Sequence, residues 1–353
     1  MDTPAAEFLD TFPPTDNAEP HKHLQTKMRK VLDEESYHNL CETVDHVTAK
    51  VIEGHTSYEA MAWHSSTVYV NGNCLSNEEV TTKLKLELCL SDMNLYIPGS
   101  VLHKCPGATC TKTLSIWHIL TCPQCSAEGY HRNSTHNAIR DAVMSCANNA
   151  GIPSSTRTYN LLPTAVGSDG KRKTLVMDAI FPDLAGHRTG VDISLVHPVP
   201  LSSSELHAPH RSAQKDTTDY ISERESKKHA KYAAACKSVD VTFIALCMTT
   251  YGQLGSEFLQ FVDTIATYAA RNQVGSLDFR TEQRKKNLLR TIMLANVNRI
   301  LIKHITGRIH ANTRASMHKH CNSRNTLPGC HRDIAAVQSN TYVDPAIYDS
   351  YDD

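Results

Sequence analysis

Between positions 21 and 53, apolar residues return every three or four places: Leu24, Met28, Val31, Leu32, Leu40, Val44, Val47 and Val51. That period lines one face of a helix. Pro20 and Gly54 bracket the run as start and stop signals. A second helix is predicted over Asn77–Leu90, with Ser76 as cap and Val80, Leu84, Leu86 and Leu88 as its apolar members. Beyond position 130 the pattern changes. Ser134–Ala150 reads as a helix halted at Gly151-Ile152-Pro153. A polar strand is expected near Thr156–Leu162 and a turn at Ser168-Asp169-Gly170-Lys171. Thr174–Phe181 and Thr189–Val196 are β-rich runs separated by turn signals near Gly186, and Pro198–His210 reads as a loop. Asp216–Lys237 is helical, Val239–Met248 is an apolar buried strand and Leu254–Ala270 is an amphipathic helix. The order helix, three strands, helix, strand, helix predicts an α/β sheet flanked by helices.

The polar ends stand apart. Residues 1–20 are rich in Pro, Asp, Glu and Ala and are expected to be a disordered leader, as is the acidic tail 337–353. Residues 21–100 then form a helical linker region, 101–130 a small metal-binding segment, 131–275 the α/β domain and 276–336 a basic helical extension. No apolar run reaches the eighteen or so residues of a membrane span, and no secretory signal pattern opens the chain. Twelve cysteines in such a chain are expected to be reduced, which points to the cytosol or nucleus.

The net charge of −1 hides an asymmetry. Residues 1–50 carry ten acids and five Lys/Arg; residues 280–332 carry twelve Lys/Arg and one acid, Glu282. A basic segment of that kind is a polyanion-binding surface in prospect. Its apolar positions Leu289, Ile292, Val297, Ile300, Leu301 and Ile305 would dock the helix and leave Arg and Lys outward, with Arg284, Lys285 and Lys286 as phosphate contacts. Lys171, Arg172 and Lys173, at the tip of a hairpin, would do the same.

Two constellations carry chemistry. The first is Cys105-x4-Cys110-x7-His118-x3-Cys122. Zinc favours four tetrahedral sulfur and nitrogen ligands, and short loops let one small segment wrap the ion. Pro106 and Gly107 supply turn chemistry within the first pair. Cys125 is an alternative to Cys122 as fourth ligand. A looser group, His318, His320, Cys321, Cys330 and His331, follows in the basic region.

The second constellation is Asp178 and Asp192, with thirteen residues between them, each inside a run of high β propensity. A carboxylate in such a run needs compensation. Two on paired strands make a site for magnesium or manganese, hard cations that take oxygen ligands. Such an ion polarises a phosphate and stabilises a leaving oxygen. A lysine is expected beside it. Ser194 fills the position two after Asp192, so the following helix supplies the candidates Lys228 and Lys231, with Tyr232 adjacent.

Taken together, these residues resemble the carboxy-terminal region of the reverse-transcriptase polyproteins of non-LTR retrotransposons, in which a zinc knuckle precedes a restriction-enzyme-like endonuclease of the PD-(D/E)XK fold. The resemblance covers roughly residues 60–275. Cys105, Cys110, His118 and Cys122 match the knuckle. His131-Arg132 and His136–Asp141 are similar to the start of the first nuclease helix. Asp178 and Asp192 match the two acids, the second within Gly190-Val191-Asp192-Ile193-Ser194-Leu195-Val196-His197-Pro198. Lys228-x-x-Lys231-Tyr232 matches the lysine/tyrosine helix, and Thr249–Gly255 the segment after the last strand. The chain departs in having Met177 before Asp178 where the family has proline, in Arg157-Thr158-Tyr159 where an acid often stands, and in lacking a polymerase catalytic segment. A fragment, a decayed copy and a host-adopted protein all fit that pattern. The resemblance implies a metal-dependent DNA endonuclease with structural zinc and catalytic Mg²⁺ or Mn²⁺, acting on DNA with element RNA as a second partner. The alternatives are an inert nucleic-acid-binding protein of the same origin and a zinc-stabilised protein-interaction module.

Overall fold

The computed structural model describes residues 21–44, 46–65, 74–87, 104–111, 114, 116–122, 124–130, 132–159, 161–166, 172–198, 217–272 and 282–324. Outside these residues lie the expected leader, the acidic tail, Lys171 and its turn, His131, nearly all of the Pro198–His210 loop, and Cys330 and His331. The amino-terminal periodicity yields two helices, α1 (His21–Thr43) and α2 (His46–Thr56), followed by α3 (Tyr58–Ser65). Gly54 does not stop α2. It lies inside the helix, where a β-carbon would meet the Tyr251 ring at 2.4 Å, so the residue marks a close approach. Helix α4 (Asn77–Glu87) begins with the expected cap: Glu79 N–H donates to Ser76 Oγ (3.2 Å) and Ser76 N–H to Glu79 Oε2 (2.7 Å), a reciprocal capping box.

The metal-binding segment contains α5 (Ile116–Thr121) and a single 3₁₀ turn, Ala127–Gly129. Helix α6 (Arg132–Asn149) follows. The polar strand expected near Thr156–Leu162 does not form. Ser155 makes an isolated bridge with Ile180, and the Thr158 hydroxyl donates to the Met177 carbonyl (2.5 Å), so a side chain takes an acceptor that a strand would have used. A two-residue pairing joins β1 (Ala165–Val166) to β2 (Arg172–Lys173).

The main sheet has three strands among the described residues, in the order β3 (Ala179–Leu184), β4 (His187–Val196), β5 (Thr242–Thr249). Strands β3 and β4 form an antiparallel hairpin whose loop is Ala185-Gly186, both at positive φ (55° and 86°). Two successive left-handed residues match the strand twist, and Asp183 Oδ1 accepts from the Gly186 N–H (2.8 Å). Strand β4 runs parallel to β5 through the crossover helix α7 (Thr217–Lys237). Helix α8 (Ser256–Asn272) then packs on β5, and α9 (Glu282–Arg324) closes the described chain over 43 residues.

Strand alternation sorts the core. Ala179, Phe181, Val191, Ile193, Leu195, Leu246 and Met248 pack against α6, α8 and α9. The opposite face packs Ile180, Phe243, Ala245 and Cys247 with Tyr232, Ile221 and Cys236 of α7. The first layer is continuous with Ile119 and Leu120 of the metal-binding segment and with Ala62 and Leu86 of the amino-terminal helices. Helix α9 is the common wall: Leu294, Val297, Leu301, Ile305 and Ile309 all enter this core. It reaches far back along the chain, for Asn298 Nδ2 donates to the Glu59 carbonyl (2.7 Å). Among the described residues no helix is long and apolar enough to cross a membrane.

Candidate functional site

The β3–β4 register brings the two aspartates together. Ala179 pairs with Val191, so one step further sets Asp178 opposite Asp192, and Asp178 N–H donates to the Val191 carbonyl (2.9 Å). Residues opposite one another on paired strands project to the same face. For Asp192 that is the face covered by α7, whereas Asp178 stands just before the first residue of β3 and its carboxylate turns along the sheet edge. The ladder nevertheless ends at Ala179. The next donor on β4, the Ile193 N–H, is taken by Asp178 Oδ2 (2.6 Å), and the Ile193 carbonyl lies 3.2 Å from His136 Nε2. The carboxylate thus caps the strand edge where β3 stops. His136, from α6, also contacts Asp178 Oδ2 (3.0 Å), and this hydrogen bond raises the imidazole pKa above its ordinary value.

Asp192 is 5% exposed. Its Oδ2 accepts from Lys228 Nζ of α7. A buried carboxylate with a bonded ammonium is far less costly than a lone one. Lys231 Nζ donates to the Tyr232 hydroxyl (2.7 Å), which donates to the Val176 carbonyl (2.9 Å). Burial lowers the Lys231 pKa despite the nearby Asp192 charge. Burial and the Asp192 charge push the Tyr232 phenol well above its usual range, so it stays neutral. Asp178, Asp192, Lys228, Lys231 and Tyr232 therefore share one end of the β4–α7 interface. Sequence reasoning missed Arg224, whose Nε donates to Ser194 Oγ (2.6 Å). Its position four before Lys228 puts it on the same stripe of α7, and that spacing was the available signal.

The second cluster gathers four ligand atoms from Cys105, Cys110, His118 and Cys122, all within 4.8 Å of one another. Cys105 Sγ lies 4.0 Å from Cys122 Sγ, and Cys110 Sγ lies 3.4 Å from His118 Nε2. Tetrahedral zinc with bonds of about 2.0–2.3 Å sets its ligand atoms roughly 3.3–3.8 Å apart. The set can hold zinc. Cys125 is also buried, 3.5 Å from Cys105 Sγ. Burial and Cys105 push its thiol far up. At Cys122 burial acts the same way, but hydrogen bonds from the Gln124 and Cys125 backbone and from the Cys105 and Cys125 thiols together lower the pKa. The four-atom grouping favours Cys122 over Cys125 as the fourth ligand.

Helix α9 clamps this segment. Arg308 donates to the carbonyls of Leu120 (3.4 Å) and Cys122 (2.7 Å), Ser316 Oγ to Lys104 O (2.7 Å), and Arg314 pairs with Glu128 (2.7 Å). Val297, Leu301 and Ile305 are buried as expected. The expected outward display of basic residues is not general: Arg308 is 5% exposed, and Lys286 pairs with Asp263 (2.5 Å). Arg284 is exposed and Lys285 half-buried. Arg172 and Lys173 lie on β2, where only the backbone is described. His320 and Cys321 are likewise described by backbone alone.

Comparison with models of known protein families gives no match, and no curated protein matches the chain.

Proposed function

We propose that this chain is a divalent-metal-dependent DNA endonuclease of the PD-(D/E)XK type, from or derived from a non-LTR retrotransposon polyprotein. The carrying observation is the facing pair Asp178 and Asp192, with His136 on one carboxylate and Lys228 on the other. Two carboxylates on neighbouring strand positions fit magnesium or manganese, which bind through one or two carboxylates and keep waters elsewhere. Such an ion, when bound, polarises a phosphodiester and stabilises the oxygen that leaves. Asp178 and Asp192 hold it in this reading. Lys228, and Lys231 with its lowered proton affinity, steady a phosphate oxygen or the attacking water. Tyr232 fixes the strand entry through Val176, and His136 orients Asp178. Zinc on Cys105, Cys110, His118 and Cys122 keeps the knuckle folded. DNA phosphates are met by Lys171, Arg172, Lys173, Arg284, Lys285 and Lys286.

The test is nicking of supercoiled plasmid by the zinc-loaded chain with Mg²⁺ or Mn²⁺, beside EDTA and Asp192→Ala. Metal-dependent nicking abolished by the substitution is expected. Equal nicking by the variant would move the chemistry elsewhere.

One observation favours a second reading. Lys228 and His136 already occupy both carboxylates with partners from within the protein. That reading is a nucleic-acid-binding protein of the same origin without catalysis. It predicts salt-sensitive DNA binding and no cutting with either metal.

A further inference from the structure

A cavity of about 230 Å³ lies where the metal-binding segment, α6, the end of β4 and α9 meet. Leu120, Leu195 and Ile305 supply its apolar wall. Thr135, His197, Thr250 and Arg308 supply its polar one. It belongs to neither constellation above. Among the described residues no carboxylate lines it, while a guanidinium and two hydroxyls do.

We infer that this cavity is a binding site for a phosphate-sized anion. Arg308 is the anchor. Its two carbonyl partners, Leu120 and Cys122, hold the guanidinium in one orientation beside the cavity. A planar cation so fixed is preorganised for an oxyanion and loses little freedom on binding it. Charge–charge attraction is also stronger in a buried setting than at the surface. The Thr135 hydroxyl adds a neutral donor of the kind that completes a phosphate site. His197 Nδ1 lies 2.8 Å from Thr250 Oγ1. Burial, and then the Arg308 charge, hold this imidazole neutral down to about pH 3. When Thr250 donates to Nδ1, the ring carries its hydrogen on Nε2 and becomes a further donor.

Size limits the guest. Drug-sized ligands need roughly 300–1,000 Å³, and a water in the liquid occupies about 30 Å³. The cavity therefore admits a single anionic group with a few waters and excludes a whole nucleotide. Phosphate chemistry has two sources here, a free inorganic ion or the terminal phosphate of a nucleic-acid strand. Thr135 precedes His136, the residue on Asp178, so the cavity and the carboxylate pair share the start of α6. The inference does not depend on the nuclease reading, since it needs no cutting.

The experiment is calorimetric titration of the full-length, zinc-loaded chain with inorganic phosphate, then with a short oligonucleotide carrying or lacking a 5′-phosphate. Saturable phosphate binding is expected. Arg308→Met should weaken it at least tenfold. Because Arg308 also holds the knuckle, Thr135→Val is the companion variant; it should keep the melting temperature and weaken binding about three- to tenfold. Competition by the phosphorylated strand alone identifies a strand terminus as the source, and absence of competition identifies the free ion. No saturable binding of either probe, or binding unchanged in Thr135→Val, overturns the site.

Discussion

Glu225 of α7 is 7% exposed and receives hydrogen bonds from the Ser256 hydroxyl (3.4 Å) and the Glu257 backbone, while Oε1 stays buried without a hydrogen bond. Burial, then the neighbouring Glu257 charge, raises its pKa above the ordinary 4.5. A carboxyl whose folded pKa is raised lends stability that is complete below 4.5 and is lost as pH climbs through the folded value. Glu225→Gln keeps an acceptor and removes the charge. Its urea midpoint should exceed that of the parent at pH 7 and converge with it near pH 4; a lower midpoint at pH 7 would show that the charge is stabilising. At the metal-binding segment, Cys110→Ser should cut bound zinc from near one equivalent to a small fraction, measured by metal analysis after gel filtration. Which of these residues mattered was unevenly legible. Cys105, Cys110, His118 and Cys122 could be read because their spacing is local. Arg308 could not, because its partners, Leu120 and Cys122, lie 188 and 186 positions away.

Among elements, β4, α7 and α8 follow the sequence pattern closely, since each pairs a clear period with a nearby break. The departures occur where side chains replace backbone partners. The run expected as a strand from Thr174 enters the sheet only at Ala179, because the Asp178 carboxylate takes the Ile193 donor. Thr158 likewise pre-empts a strand at 156–162. Helix α9 departs in role more than in extent, being a core wall as well as a basic surface. Leu301→Ala, at a position 1% exposed, should cost about 2–5 kcal/mol in denaturant unfolding. The same helix changes how DNA affinity must be tested. Removing everything from Arg280 would strip the core, so the informative variant is Arg284→Glu with Lys285→Glu. It should weaken DNA binding and flatten its salt dependence while leaving the melting temperature within a few degrees. Unchanged affinity and salt slope would take this end of α9 out of the interface.

For the molecule as a whole, one core joins the amino-terminal helices, the metal-binding segment and the sheet, so these parts should unfold in a single transition. Three histidines, His55 buried and His197 and His304 half-buried, make that transition acid-sensitive. Burial lowers the pKa of His55, His197 and His304, that of His197 to about 3. Each binds a proton in the unfolded chain near pH 6.5 and not in the folded one. Stability is then full above pH 6.5 and falls as pH drops toward 3. Denaturant midpoints measured from pH 7.5 to 5 should decline, and His197→Gln should flatten part of the slope; a flat parent profile would rule this out. The reach of α9 back to Glu59 has a further consequence, during synthesis. A ribosome adds about 5–20 residues each second, so the 43 residues of this helix take roughly 2–9 s to appear. Until they do, the apolar faces that α9 covers have no permanent cover in the nascent chain. This protein should therefore lean on chaperones until α9 has emerged, and slowing the ribosome over codons 282–324 should lower its soluble yield.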